Sequence, residues 1–207
     1  MGVLTLILAT HNENKRKEMA AMLQNLPIHV LSLNDYPDIG EIVENGKTFA
    51  ENAAIKAQTV ANLTGQLALA DDSGLEVDAL DGAPGIYSAR FAGLDHDDAA
   101  NNALLLKKMA AVPTEKRQAH FTCVMALALP DEKPIFVRGQ LEGVILHQAA
   151  GSGGFGYDPL FFVPTHMKSL AEMSAEEKNA ISHRGRACAK VIPLLEAYAD
   201  GGQLPRG

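Results

Sequence analysis

Cysteine is scarce: Cys123 and Cys188 are the only two in the chain, and they form no pair motif. A disulfide framework and a zinc-finger cluster are thereby excluded, and a reducing, cytoplasmic setting is expected. Long apolar runs are missing as well, since a spanning helix needs roughly 18 residues or more. The stretch Val3 to Ala9 is only seven residues long with no Lys or Arg ahead of it. It reads as a first strand and not as a secretory leader, and no membrane partner is expected. Positive charge is in deficit, with 18 Lys and Arg against 25 Asp and Glu. A net charge of −7 gives no general attraction to long nucleic acid.

What remains is ordinary globular material: 207 residues, 47% hydrophobic and 21% charged, with 18 Gly and 10 Pro. A chain this long buries about 70% of its unfolded surface without staples. Residues 1–207 are expected to form one domain, with two lobes around a cleft.

Strand formers at Leu4 to Leu8 precede Thr10-His11-Asn12-Glu13-Asn14 and a helical spacing through Met19, Met22, Leu23 and Leu26, stopped by Pro27. Ile28 to Leu33 reads as a second strand. Thr48 with Glu51 predicts a capping box opening a helix to about Leu63, with Gly65 just past its end. Leu67 to Ala70 reads as a short third strand ending at Asp71-Asp72-Ser73-Gly74. A helix is predicted over Asp97 to Val112, then long strands over 118–129 and 135–147 around the turn Pro130 to Pro134. Ser174 with Glu177 suggests a capped turn, and Ala187, Val191, Leu194, Leu195 and Tyr198 form a last helical stripe, which Pro193 should kink. Strands alternating with helices early and pairing late imply an α/β fold built on a mixed sheet flanked by helices.

Four places carry candidate chemistry. The strand–turn–helix at Thr10 to Lys15 can hold phosphate, because a helix N-terminus presents unpaired amides. Taken alone, an Asn N-cap before a solvated Lys-Arg-Lys turn explains it better. Residues 71–98 contain eight carboxylates (Asp71, Asp72, Glu76, Asp78, Asp81, Asp95, Asp97, Asp98) and one cation, Arg90. Asp71 and Asp72 lie where a strand ends, and Glu44 sits in a loop before the Thr48 helix. Mg²⁺ takes one or two such carboxylates plus substrate phosphates, and a carboxylate beside it can activate water.

Gly151-Ser-Gly153-Gly-Phe155-Gly156 matches the dinucleotide fingerprint GxGxxG literally, but Tyr157, Asp158 and Pro159 follow where a helix should open. The glycines are better read as allowing close approach to a ligand, with Phe155 stacking on a flat ring. Lys178 and the run Ser182-His183-Arg184-Gly185-Arg186 are donors suited to phosphate or a purine carbonyl. Phosphate donors, metal carboxylates, a base platform and a carbonyl reader together describe a Mg²⁺-nucleotide site.

The chain also resembles the inosine/xanthosine triphosphate pyrophosphatases, which remove non-standard purine nucleotides. The resemblance rests on Thr10 to Lys15, Gly46 to Ala53, Ala70 to Asp78, Gly82 to Arg90, Gly151 to Pro159, and Lys178 through Ser182-His183-Arg184, in the family's order. It implies Mg²⁺-dependent hydrolysis to a nucleoside monophosphate and pyrophosphate, a homodimer, and an elongated mixed sheet with a nucleotide-binding cleft between two lobes. Thr10, His11, Asn12, Glu13, Asn14 and Lys15, with Lys56, would hold the phosphates. Glu44 and Asp72 would bind the metal, Asp72 would be the base, and Ser73 would touch the nucleotide. Phe155 would stack on the base within Phe155-Gly156-Tyr157-Asp158, and Lys178, His183 and Arg184 would read the 6-keto purine. A sensor that binds nucleotide without cleaving it, and a related hydrolase for pyrimidine or modified nucleotides, are the competing readings.

Overall fold

A computed structural model of the chain describes residues 3–93 and 97–205. Asp95 of the acidic stretch lies outside them. In chain order the strands are β1 (Leu4–Leu8), β2 (Ile28–Ser32), β3 (Leu67–Val77), β4 (Gln118–Ala128), β5 (Ile135–Ile145), β6 (Phe161–Val163) and β7 (Lys168–Ser169). The α-helices are α1 (Glu13–Leu23), α2 (Phe49–Thr64), α3 (Asp98–Lys108), α4 (Ala175–Ile181) and α5 (His183–Ala199). The sheet runs β2-β1-β3-β4-β5-β6-β7. Strand β1 is parallel to β2 and β3, with Leu6 opposite Val30 and Leu67, while β6 is antiparallel to β5 and β7. This is the mixed, helix-flanked α/β sheet that the pattern implies.

The chain divides into two compact units, one of Met1–Asp72, Cys123–Gly139 and Arg184–Gly207, the other of Ser73–Thr122 and Gln140–His183. In the first unit, strand residues alternate between two apolar layers, as the period of two requires. Leu6, Leu8, Leu67, Leu69, Cys123, Met125 and Leu127 pack with Met19 and Leu23 of α1 and Ala187, Val191 and Leu195 of α5. Ile7, Ala9, Ala68, Ala70, Ala126 and Ala128 pack with Ala53, Ala57, Val60 and Ala61 of α2. Replacing a fully buried leucine such as Leu69 by Ala costs about 2–5 kcal/mol.

The second unit has its own core, in which Leu75, Val77, Phe121, Leu141, Tyr157 and Phe161 meet Leu105 and Met109. Phe161 also explains Gly143, where a Cβ would approach the Phe161 ring to 2.5 Å.

Several expectations are corrected. Strand β3 does not stop at Ala70 but continues to Val77, so Asp71 and Asp72 lie inside a strand and are buried. Helix α3 ends at Lys108, not Val112. The carbonyls of Met109 and Val112 instead accept from the guanidinium of Arg117, which is 1% exposed and also donates to Ile145 and Leu146. Helix α1 ends at Leu23, before Leu26. As the stripe implies, Pro193 falls inside a helix, α5, which runs to Ala199.

Candidate active site

The first unit gathers the phosphate and metal candidates. Asn12 is the N-cap of α1, its Oδ1 accepting from Asn14 N (3.0 Å) and Lys15 N (3.1 Å). Thr10 Oγ1 accepts from Asn12 N at 3.1 Å. The turn is therefore shaped by its own side chains, as the capping reading anticipates. His11, Glu13 and Asn14 are exposed, Glu13 is bonded to Arg16, and Lys15 Nζ lies 3.1 Å from Asp71 Oδ2.

Helix α2 carries Lys56 and Asn52 into the same region. Thr48 Oγ1 caps it by accepting from Glu51 N, while the Glu51 carboxylate accepts from Lys47 N and so departs from the predicted box. Gly65 closes the helix at φ 67°. Lys56 is buried, with Nζ 2.9 Å from Glu44 Oε2 and 3.8 Å from Asp72 Oδ1. Burial pulls its ammonium pKa down, but Asp72, Glu44 and Asp71 outweigh that and the net direction is up.

Asn52, 2% exposed, is a residue that the sequence pattern does not single out. It accepts from Gly46 N (2.9 Å) and donates to Asp72 Oδ2 (3.0 Å), tying the Glu44 loop to the carboxylate. A Cβ on Gly46 would come within 2.6 Å of Asn52 Oδ1, so only glycine allows that approach.

The adjacent aspartates differ because successive strand residues face opposite sides. Asp72, in phase with Ala68 and Ala70, faces α2. Burial raises its pKa, opposed by Lys56 and Lys15. Asp71, in phase with Leu67 and Leu69, meets Lys15 and Arg184 of α5, whose Nη2 is 3.2 Å away. Burial alone would push Asp71 up, but Lys15, Arg184 and Lys56 hold it far below the usual carboxylate range. Arg184 is 2% exposed and also donates to Glu18 at 2.6 Å. Its guanidinium thus holds two carboxylates of the first unit, Asp71 and Glu18.

The second unit gathers the base-reading candidates. Lys178 of α4 is buried, 2.6 Å from Asp158 Oδ2 and 4.5 Å from the Phe155 ring centroid. The same Asp158 oxygen accepts from Phe155 N at 2.9 Å. Gly154, at φ 69°, makes this possible, because a Cβ there would strike the Asp158 carboxylate. Tyr157 is buried and donates to Ser88 O at 2.7 Å. His183 stacks on Phe121 with centroids 4.6 Å apart and planes 12° apart. Ser73 follows Asp72 on β3. No helix follows the glycine run directly; Asp158–Leu160 is a single 3₁₀ turn, so the dinucleotide fingerprint is rejected.

Residues 6–194 match the Ham1 family. The chain belongs to the Ham1 family. The dITP/XTP pyrophosphatase of Listeria monocytogenes serotype 4b is 56% identical over 182 residues, 88% of this chain and 90% of that one. The dITP/XTP pyrophosphatase of Desulforamulus reducens is 52% identical over 192 residues, covering 93% and 96%. A solved HAM1 protein from Coxiella burnetii superposes with a TM-score of 0.86 at 42% identity, covering 93% of this chain and 98% of the other. Among the described residues, no helix of this Ham1 chain is long and apolar enough to cross a membrane.

Proposed function

We propose that this chain hydrolyses non-standard purine nucleoside triphosphates (ITP, dITP and XTP) between the α- and β-phosphates, giving the monophosphate and pyrophosphate. The observation that carries the reading is the buried Asp72 beside Lys56 and Glu44, in a chain 56% identical to a dITP/XTP pyrophosphatase. The match over residues 6–194 includes segments of both units, which supports treating 1–207 as one functional domain.

Asp72 is the base. Burial raises its pKa, which makes it a better proton acceptor toward water. It takes the proton as water oxygen joins phosphorus and the anhydride opens with its electron pair on the departing phosphate. Asn52 fixes the carboxylate's orientation through its 3.0 Å bond. Lys56, Lys15 and the Thr10-His11-Asn12-Glu13-Asn14 turn face the phosphates, and Ser73 touches the nucleotide. Arg184 acts through Asp71, holding that carboxylate against Lys15.

The donor set fits Mg²⁺: Glu44 Oε2 and Asp72 Oδ1 already share one positive charge, at 2.9 and 3.8 Å from Lys56 Nζ. Among the described residues no group of three or more His, Cys, Asp or Glu is placed to hold a metal. The chain's share is therefore two carboxylates, with phosphate oxygens and water completing the set. Bound there, Mg²⁺ would neutralise charge developing on the phosphates.

Phe155 stacks on the base, with Gly156, Tyr157 and Asp158 supporting it. Lys178 and His183 donate to the 6-keto oxygen, whereas the adenine amino group would bring donors to donors and leave buried groups unpaired. The homodimer rests on the family resemblance, and the cytoplasmic setting on two buried free cysteines. The test is product analysis with Mg²⁺ and equal concentrations of ITP, ATP and GTP. Pyrophosphate released chiefly from ITP, and lost on chelation, is the expected result; orthophosphate as the first product, or no turnover, overturns the reading.

A further inference from the structure

Both backbone hydrogen-bonding groups of Gly156, the residue after Phe155, are taken by α3. Asp98 Oδ2 accepts from Gly156 N at 2.7 Å, and Asn102 Nδ2 donates to Gly156 O at 2.9 Å. The two side chains are four residues apart and so share one helix face. Their chemistry is complementary to the peptide groups they hold, since a carboxylate only accepts and the amide nitrogen only donates.

The helix is itself anchored. Asp97 Oδ1 caps it through Ala100 N, and Asn101, 2% exposed, donates to Ala89 O and accepts from Ala92 N. That neighbouring segment also provides Ser88 O for the Tyr157 hydroxyl. Gly156 sits at φ 61°, and no atom lies within 4 Å of where its side chain would begin, so the bonds to Asp98 and Asn102 are not replaced by side-chain packing at this residue. Asn102 Oδ1 is buried without a hydrogen-bond partner. Packing alone would favour an apolar side chain there, so the bond to Gly156 is what Asn102 supplies.

We infer that Asp98 and Asn102 are positioning residues for base recognition, holding the backbone that carries the Phe155 ring. The inference rests on the platform role proposed for Phe155. It is independent of the phosphate-holding residues, none of which α3 carries.

The test is steady-state pyrophosphate release from dITP by the full chain with Mg²⁺, with inorganic triphosphate as a competing phosphate-end ligand. Asp98→Ala and the isosteric Asn102→Asp should each raise KM about three- to tenfold with kcat little changed. Asp98→Asn should keep the wild-type KM, because its amide oxygen still accepts from Gly156 N–H. Inhibition by inorganic triphosphate should be the same in all variants. A purely structural role would lower the active fraction, hence kcat, and leave KM alone; that result overturns the clamp. So does an Asp98→Asn variant as impaired as Asp98→Ala. If the wild type releases no pyrophosphate from dITP, the hydrolase reading fails. The clamp is then judged on dITP Kd by calorimetry, with the same fold-changes expected and an unchanged Kd overturning it.

Discussion

Asp71 and Asp72 are neighbours on β3, yet one carboxyl meets Lys15 and Arg184 and the other meets Lys56 and Asn52. A strand period of two puts them on opposite faces of the first unit's sheet. Two identical side chains thereby take opposite pKa directions, Asp71 down and Asp72 up. The first is a permanent anion that organises cations, and the second can accept a proton.

Removing the bond from Asn52 should move Asp72 further in its own direction. That bond lowers the Asp72 pKa against the larger, opposing effect of burial. In metal-free protein, the ¹³C-carboxyl resonance of Asp72 should titrate above the ordinary aspartate value of 3.8, and in Asn52→Ala it should titrate higher still. A downward movement would mean that the bond does not stabilise the charged form.

Asp71 should govern acid stability. Its folded pKa is depressed, so the stabilisation is present above the ordinary aspartate value of 3.8 and is lost as pH falls below it. Asp71→Asn leaves Lys15 and the buried Arg184 without their shared carboxylate, a loss of about 3–5 kcal/mol. Urea unfolding of metal-free protein should show that loss at neutral pH and a flatter decline into acid than wild type. Equal stability at pH 7 would contradict the assignment.

Gly154→Ala should weaken the base platform. The residue sits at φ 69° and its Cβ would strike the Asp158 carboxylate. Strain of this kind costs about 1–3 kcal/mol, with about 2–4 °C of Tm per kcal/mol for a chain of this size. Because Asp158 holds both Lys178 and Phe155 N, KM for dITP should rise along with the fall in Tm. A lower Tm with unchanged KM would limit Gly154 to folding.

Local signals are legible in the sequence. Asn12, Thr48 and Ser174 cap their helices, and Pro159 rightly argues against a dinucleotide fingerprint. Sequence reasoning fails where a partner lies far along the chain. Asp71-Asp72-Ser73-Gly74 reads as a turn because two buried charges in mid-strand are costly, and the cations that offset them come from residues 15, 56 and 184. Helix α3 ends short of Val112, and Arg117, a residue no capping rule identifies, takes the carbonyls of Met109 and Val112 beyond its end. The roles of Asn52, Asp98 and Asn102 carry no local signal, since nothing in the sequence pattern reveals the backbone groups they bind.

The most direct test of the account is Asp72→Asn, measured for both dITP turnover and dITP binding. The substitution is isosteric and removes a carboxyl that burial already disfavours as an anion, so the fold should not suffer. Turnover should fall by about 10²–10⁴-fold, the usual worth of a general base, while dITP still binds. Turnover within about tenfold of wild type would contradict the assignment of Asp72 as the base.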